Sequence, residues 1–339
     1  MVQIDTVRAS NAKIHSSPIG QEPTAVFVGA TSGIGMTTVE QFAQYTNKPT
    51  AYLVGRNETS ASKLQDRLRK LNPQGTYRFV KADVSLLQNV DRVCDEIKQQ
   101  TKRLDLLVVS IGYLTFSGRT ENANGLDNLL AVRYYMRMRF IVNLLPLLTL
   151  SSSPRVISVC AAGREQALIE PDLELREKYS LINAANQPTT MTSLFMEELS
   201  RRYPTISFIH TYPGVVKTNI LQAGFSAPVA FVMRWIVIPL LTPITIPIKD
   251  AGERHLFVAT SARYPPAKTT TSAGVPPPDD AEILVGSNGN KGSGAYLVDW
   301  DCEAAPTKEV LKKAMDEGKG QKIWEHTLEV FDRIKANGN

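Results

Sequence analysis

Thr24-Ala25-Val26-Phe27-Val28-Gly29-Ala30-Thr31-Ser32-Gly33-Ile34-Gly35 is the stretch that decides the fold. Its first five residues are apolar or β-branched and read as a buried strand. They run without a linker into three spaced glycines, and residues 36–45 follow with helical character. Glycine lets a backbone turn tightly and approach a ligand closely, and a helix N-terminus offers free N–H groups and the positive end of its dipole. A strand, a glycine turn and a helix start in that order describe a cradle for a dinucleotide pyrophosphate. The spacing is G-x-x-x-G-x-G, not the commoner G-x-G-x-x-G.

Outward from this stretch, short apolar runs alternate with helical patterns. Strands are expected at 51–54, 77–82, 104–110, 155–159, 206–210 and 294–298. Helices are expected at 62–71, 89–102, 126–145, 191–202 and 307–336. That alternation implies βαβ units, so the fold class is α/β with a doubly wound parallel sheet of the Rossmann type in a single domain.

The 339 residues are 43% hydrophobic and 21% charged, an ordinary globular composition. Lys plus Arg exceed Asp plus Glu by 38 to 33 with no basic run, so no nucleic-acid partner is expected. Three cysteines without a C-x-x-C pair and four scattered histidines give no metal spacing. They fit a reducing, cytoplasmic setting. Residues 1–22 lack an apolar h-region and read as an N-terminal arm, not a secretory signal.

Two segments interrupt the rhythm. Residues 225–248 are mostly apolar but carry Arg234 and four prolines, which argues against a straight membrane span. They read as a lid over an apolar pocket, with peripheral membrane contact as the alternative. Residues 262–280, rich in Pro, Thr and Ser, read as an exposed insertion. The organisation is then arm 1–22, dinucleotide core 23–222, lid and insertion 223–284, and last strand with C-terminal helix 285–339.

The glycine turn and three further motifs resemble the short-chain dehydrogenase/reductase superfamily over roughly residues 24–219. Gly29, Thr31, Ser32, Gly33, Ile34 and Gly35 match its glycine motif, and Ala82-Asp83-Val84 its adenine-contacting segment. Ser110-Ile111-Gly112 matches the end of its N-N-A-G segment. Pro213-Gly214-Val215-Val216-Lys217-Thr218 matches its P-G-x-x-x-T segment, which the resemblance assigns to the nicotinamide carboxamide and the diphosphate. The resemblance also implies a homodimer through the long helix from Leu126. At the end of the second strand stand Gly55-Arg56-Asn57 instead of an acidic residue. Arg56, with Thr31 and Ser32, suits a 2′-phosphate, so NADP(H) is the expected cofactor.

The family's catalytic positions carry other residues. Its orienting Ser falls on Ala161, its Tyr on Ala185, its Lys on Thr189 and its helical Asn on Arg133. Pro188 implies that this helix begins at 186 or 187. The replacement candidates are Arg133 as a fixed cation, Tyr179 and Tyr113 as proton donors, and Cys160 beside the pocket. The reading is an NADPH-dependent oxidoreductase acting on a large apolar carbonyl compound in secondary metabolism. Its alternatives are an isomerase or cyclase that retains NADP(H), and a dinucleotide-binding protein without turnover.

Overall fold

In the computed structural model, residues 1–112, 115, 117–216, 245–269, 274–276 and 282–337 are described. The apolar runs form β1 (Thr24–Val28), β2 (Thr50–Gly55), β3 (Thr76–Lys81), β4 (Leu106–Val109), β5 (Arg155–Val159), β6 (Ser207–Thr211) and β7 (Ala295–Val298). They pair in the order β3-β2-β1-β4-β5-β6-β7, each neighbour parallel. β1, β4, β5, β6 and β7 are buried throughout, as a sheet covered on both faces requires. From β1 the chain winds outward to β3 and then returns to β4. The crevice at the carboxyl ends of β1 and β4 is therefore the topological switch point where such folds bind ligands.

Helices fill both faces: α1 (Ile4–Asn11), α2 (Gly33–Tyr45), α3 (Glu58–Leu71), α4 (Leu87–Gln100), α5, α6 (Leu181–Arg202), α7 (Ile248–Thr260), α8 (Glu309–Asp316) and α9 (Lys319–Asn337). The long helix α5 has three segments, Asn128–Leu130, a π turn Ala131–Tyr135, and Met136–Leu148. One core lies between the sheet and α4, α5, α6 and α9, the other between the sheet and α1, α2, α3 and α7.

Four expectations need correction. α6 begins at Leu181, not at 186 or 187, and carries Pro188 in its interior. The Ser180 hydroxyl caps it by accepting the Asn183 N–H at 3.0 Å. Pro188 is itself buried, so packing offsets the backbone hydrogen bond it deletes. Within the span read as lid and insertion, residues 248–260 are the core helix α7, packed so closely on α2 that a Cβ at Gly252 would lie 2.8 Å from Thr37. The start of the insertion is not exposed, because Tyr264 is buried between Phe257 and Tyr296. The arm at 1–22 contains α1, whose Asn11 donates to the Glu253 carboxylate at 2.7 Å. The lid proper, 225–244, lies outside the described residues. No helix among the described residues is long and apolar enough to cross a membrane.

The C-terminal tail forms two helices, and α9 covers the outer face of α5 and α6. Phe195 stacks on Trp324 with centroids 5.0 Å apart, and Tyr134 shares a 2.7 Å hydrogen bond with Thr327. The Arg139 guanidinium lies 4.9 Å from the Phe331 ring. This face of the long helix is covered by the chain's own C-terminal helix. Phe195→Ala should lower stability by about 3–5 kcal/mol in urea denaturation, the usual loss for a buried aromatic. A loss below about 1 kcal/mol would show that α9 is not seated on this side chain.

Candidate active site

The glycine turn brings α2 against the end of β4. A Cβ on Gly35 would stand 2.4 Å from Ser110 Oγ and 2.6 Å from the Gly29 carbonyl oxygen. One on Gly29, where φ is +90°, would stand 2.9 Å from the Ile111 nitrogen. Only glycine permits that approach. Ser32 precedes α2 without a side-chain cap, so the first N–H groups of the helix remain available to an anion.

The resulting cleft measures about 660 Å³. Gly29, Thr31, Ser32, Gly33, Ile34, Ser110, Gly112, Pro213, Gly214 and Val216 line it, as the motifs imply. Arg56, Asn57 and Ser60 line the β2 side, and Arg133, Arg137, Val159 and Cys160 the β5 side. Arg56 is exposed and has no partner among the described residues. Asn57 accepts the Ser60 N–H at 2.8 Å and so caps α3.

Other candidates stand elsewhere. Gly35 shapes the turn without lining the cleft. The Asp83 carboxylate accepts the Ser85 N–H at 3.1 Å and its hydroxyl at 2.8 Å, Val84 is buried in the core, and neither lines the cleft. Tyr179 also lies outside the lining. It packs on the sheet-helix core, where burial and the Asp127 charge raise its pKa. Tyr113 and Thr218 lie outside the described residues.

The β5 side is dominated by two arginines one helical turn apart on α5. Arg137 is fully buried and donates from Nε to Val132 O at 3.2 Å and from Nη1 to Val109 O, Ser158 Oγ and Val159 O at 3.1, 3.0 and 2.9 Å. Its Nη2 donates to Ile111 O. Burial lowers its pKa, and the nearby Arg133 charge acts in the same direction. Arg133, by contrast, is largely free. Its Nη2 lies 3.9 Å from Cys160 Sγ, and its buried Nε has no hydrogen-bond partner among the described residues.

The turn after β5 has little left to offer a ligand. Cys160 N–H donates to Thr211 O at 2.8 Å, Ala161 N–H to His210 Nε2 at 3.2 Å, Gly163 N–H to Glu165 Oε1 at 3.1 Å and Arg164 N–H to Ala161 O at 3.1 Å. Ala185 and Thr189 stand one turn apart on α6, the Thr189 hydroxyl donating to the Ala185 carbonyl at 2.9 Å. Sequence reasoning missed Arg137, Glu165, Ser193 and His210. The signal for Arg137 was its place on an apolar helix face, between buried Tyr134 and buried Ile141.

Fold and cleft are those of a doubly wound dinucleotide-binding protein. The family model for short chain dehydrogenases matches residues 23–227. Oxidoreductase AN1596 of Emericella nidulans is 44% identical over 333 residues, covering 98% of this chain and 99% of that protein. Short-chain dehydrogenase/reductase SAT2 of Stachybotrys chartarum is 31% identical, with 98% of each chain covered. Among solved structures, the L-sorbose reductase of Gluconobacter frateurii, complexed with NADPH and L-sorbose, shares the fold with a TM-score of 0.56 at 16% identity, over 72% of this chain and 92% of that one. The chain belongs to the short-chain dehydrogenase family and is an oxidoreductase.

Replacing Arg137 by Met would strand the carbonyls at the ends of β4 and β5. The expected loss is about 3 kcal/mol or more in urea denaturation, since each buried acceptor left unpaired costs about 1–3 kcal/mol. A loss under about 1 kcal/mol would show that this guanidinium does not hold the strand ends together.

Proposed function

We propose that this protein is an NADP(H)-dependent oxidoreductase acting on an apolar carbonyl compound, with Arg133 holding the carbonyl oxygen. The observation that carries this reading is the Arg133 guanidinium, which lines the β5 side of the cleft with its Nε unpartnered. The close glycine approach and the uncapped start of α2 suit a dinucleotide pyrophosphate. When bound, that cofactor supplies or takes up hydride at the carbonyl carbon.

The side chains divide the remaining work. Gly29, Thr31, Ser32, Gly33 and Ile34 hold the pyrophosphate side, and Arg56 with Thr31 receives the 2′-phosphate. Ser110, Gly112, Pro213, Gly214, Val216 and Thr218 seat the nicotinamide side. At the carbonyl, negative charge grows on oxygen as the carbon is reduced, and a fixed guanidinium binds that charge more strongly than the neutral ground state. The N–H groups of Cys160, Ala161, Gly163 and Arg164 after β5 are already paired, which favours Arg133 for this task. Tyr113 follows the cleft-lining Gly112 directly and is the proton donor in this reading, whereas Tyr179 keeps a packing role. A place in secondary metabolism belongs to this reading, as does a cytoplasmic setting for a chain with three cysteines and no C-x-x-C pair.

A second reading rests on the resemblance, which puts the family's orienting Ser, its Tyr and its Lys on Ala161, Ala185 and Thr189. An isomerase or cyclase that retains NADP(H) needs no alkoxide protonation at those positions. Following NADPH absorbance beside product mass separates the two, because only the oxidoreductase consumes cofactor in step with product.

Two outcomes follow for variants. Arg56→Ala should weaken NADPH by about 1–3 kcal/mol, the range for a charge-assisted hydrogen bond, and leave NADH nearly unchanged. Equal affinity of the parent protein for both dinucleotides in a titration would rule out the 2′-phosphate role. Arg133→Ala should lower kcat about a hundred- to a thousandfold, as for loss of one oxyanion donor, with NADPH affinity retained. Undiminished turnover in that variant would remove Arg133 from the reaction.

A further inference from the structure

We propose that Glu165, Ser193 and His210 are positioning residues that clamp the turn 160–163, whose Cys160 forms part of the cleft wall, through one closed hydrogen-bond circuit. The proposal rests on the reading of the β5 side as the carbonyl end of the cleft. After Cys160 the turn consists of Ala161, Ala162 and Gly163, whose small side chains leave its shape to buried neighbours and backbone hydrogen bonds, and Gly163 sits at φ +77°.

Hydrogen-bond polarity fixes the circuit. A backbone N–H can only donate, so the 3.2 Å contact from Ala161 N makes His210 Nε2 the acceptor and puts the ring proton on Nδ1. Nδ1–H then donates to Ser193 Oγ at 2.9 Å, and the Ser193 hydroxyl donates to Glu165 Oε1 at 2.7 Å. The same Oε1 accepts the Gly163 N–H at 3.1 Å. Both N–H groups flanking Ala162 are thus tied into one loop of side chains from β6, α6 and the segment after β5. Glu165 and His210 are 0% exposed and Ser193 2%.

The charges facing His210 are Glu165, Arg137 and Arg133. Burial drives the imidazole down to about 4, with the Glu165 charge opposing and both arginines reinforcing, so the ring is neutral as the circuit requires. Glu165 Oε2 is buried without a partner among the described residues. A fold that needed only filler would not retain that cost, which points to the work Oε1 does on the wall. The wall in turn carries Cys160, whose Sγ lies 3.9 Å from Arg133 Nη2, so the clamp sets the spacing at the free guanidinium.

Two measurements on the full-length protein test this. In nitrogen-15 histidine NMR, His210 should show the Nδ1–H tautomer and stay neutral from about pH 8 to about pH 5, since burial holds it low. An Nε2–H tautomer, or titration near the ordinary histidine value, overturns the circuit. The second follows alkylation of Cys160, the half-buried thiol, against buried Cys94 and Cys302 by peptide mass. Ser193→Ala cuts the circuit and should speed Cys160 modification about fivefold or more, as local opening becomes easier. Glu165→Gln keeps the Oε1 acceptor and should stay near the parent rate. A parent-like rate in Ser193→Ala overturns the clamp, and if that variant does not fold, the tautomer of the parent decides. Neither readout uses turnover or bound dinucleotide, so the clamp and the Arg133 reading fail separately.

Discussion

A guanidinium with no carboxylate beside it among the described residues holds the working end of this sheet together. β4 and β5 end beside the cleft, at Val109 and Val159. Arg137 reaches their ends from α5 and donates to the carbonyls of Val109, Val159 and Ile111. A buried charge without an ionic partner is costly unless its donors are satisfied, and here five oxygens accept from it. One of them is the Val132 carbonyl inside the π turn, so the local widening of α5 and the anchoring of Arg137 belong to one arrangement.

That arrangement sets the electrostatics of the cleft. With Arg137 fixed behind the strand ends, Arg133 one turn earlier faces a second cation and has no carboxylate to neutralise it among the described residues. Placed where a carbonyl becomes an alkoxide, such a group stabilises developing charge without having to reorganise. On the far side of the cleft Arg56 is likewise unpaired, so both ends favour anionic groups while Gly29 to Gly35 shape the middle.

Sheet and cleft were largely legible in the sequence because their physics is local. Strands buried on both faces write continuous apolar runs, and a close backbone approach writes glycine. α7 was not legible, because its charged residues are buried and paired across the chain. Arg254 donates to the Val2 carbonyl at 2.9 Å, and Glu253 receives Asn11, so a helix that packs deeply reads as polar. Pro188 misled in the opposite sense, since its intrinsic preference for a first turn yields to tertiary packing along α6. Asp83 follows β3 where its motif requires, yet its carboxylate accepts from Ser85 two residues on, a local turn contact that the motif reading did not weigh.

If the resemblance places the family's catalytic positions correctly, the residues around them do not look like decay. Random loss of a Tyr and a Lys from a buried helix face would leave orphaned polar groups or voids. On α6, Thr189 satisfies its hydroxyl on the turn before, and Ser193, on the same face one turn further, joins His210 and Glu165. In the proposed reading, where the resemblance puts the helical Asn on Arg133, a fixed charge would take the place of a positioned acid. Such a site would act best on a substrate whose oxygen already carries part of the negative charge, because a guanidinium rewards charge on oxygen whether or not a proton follows.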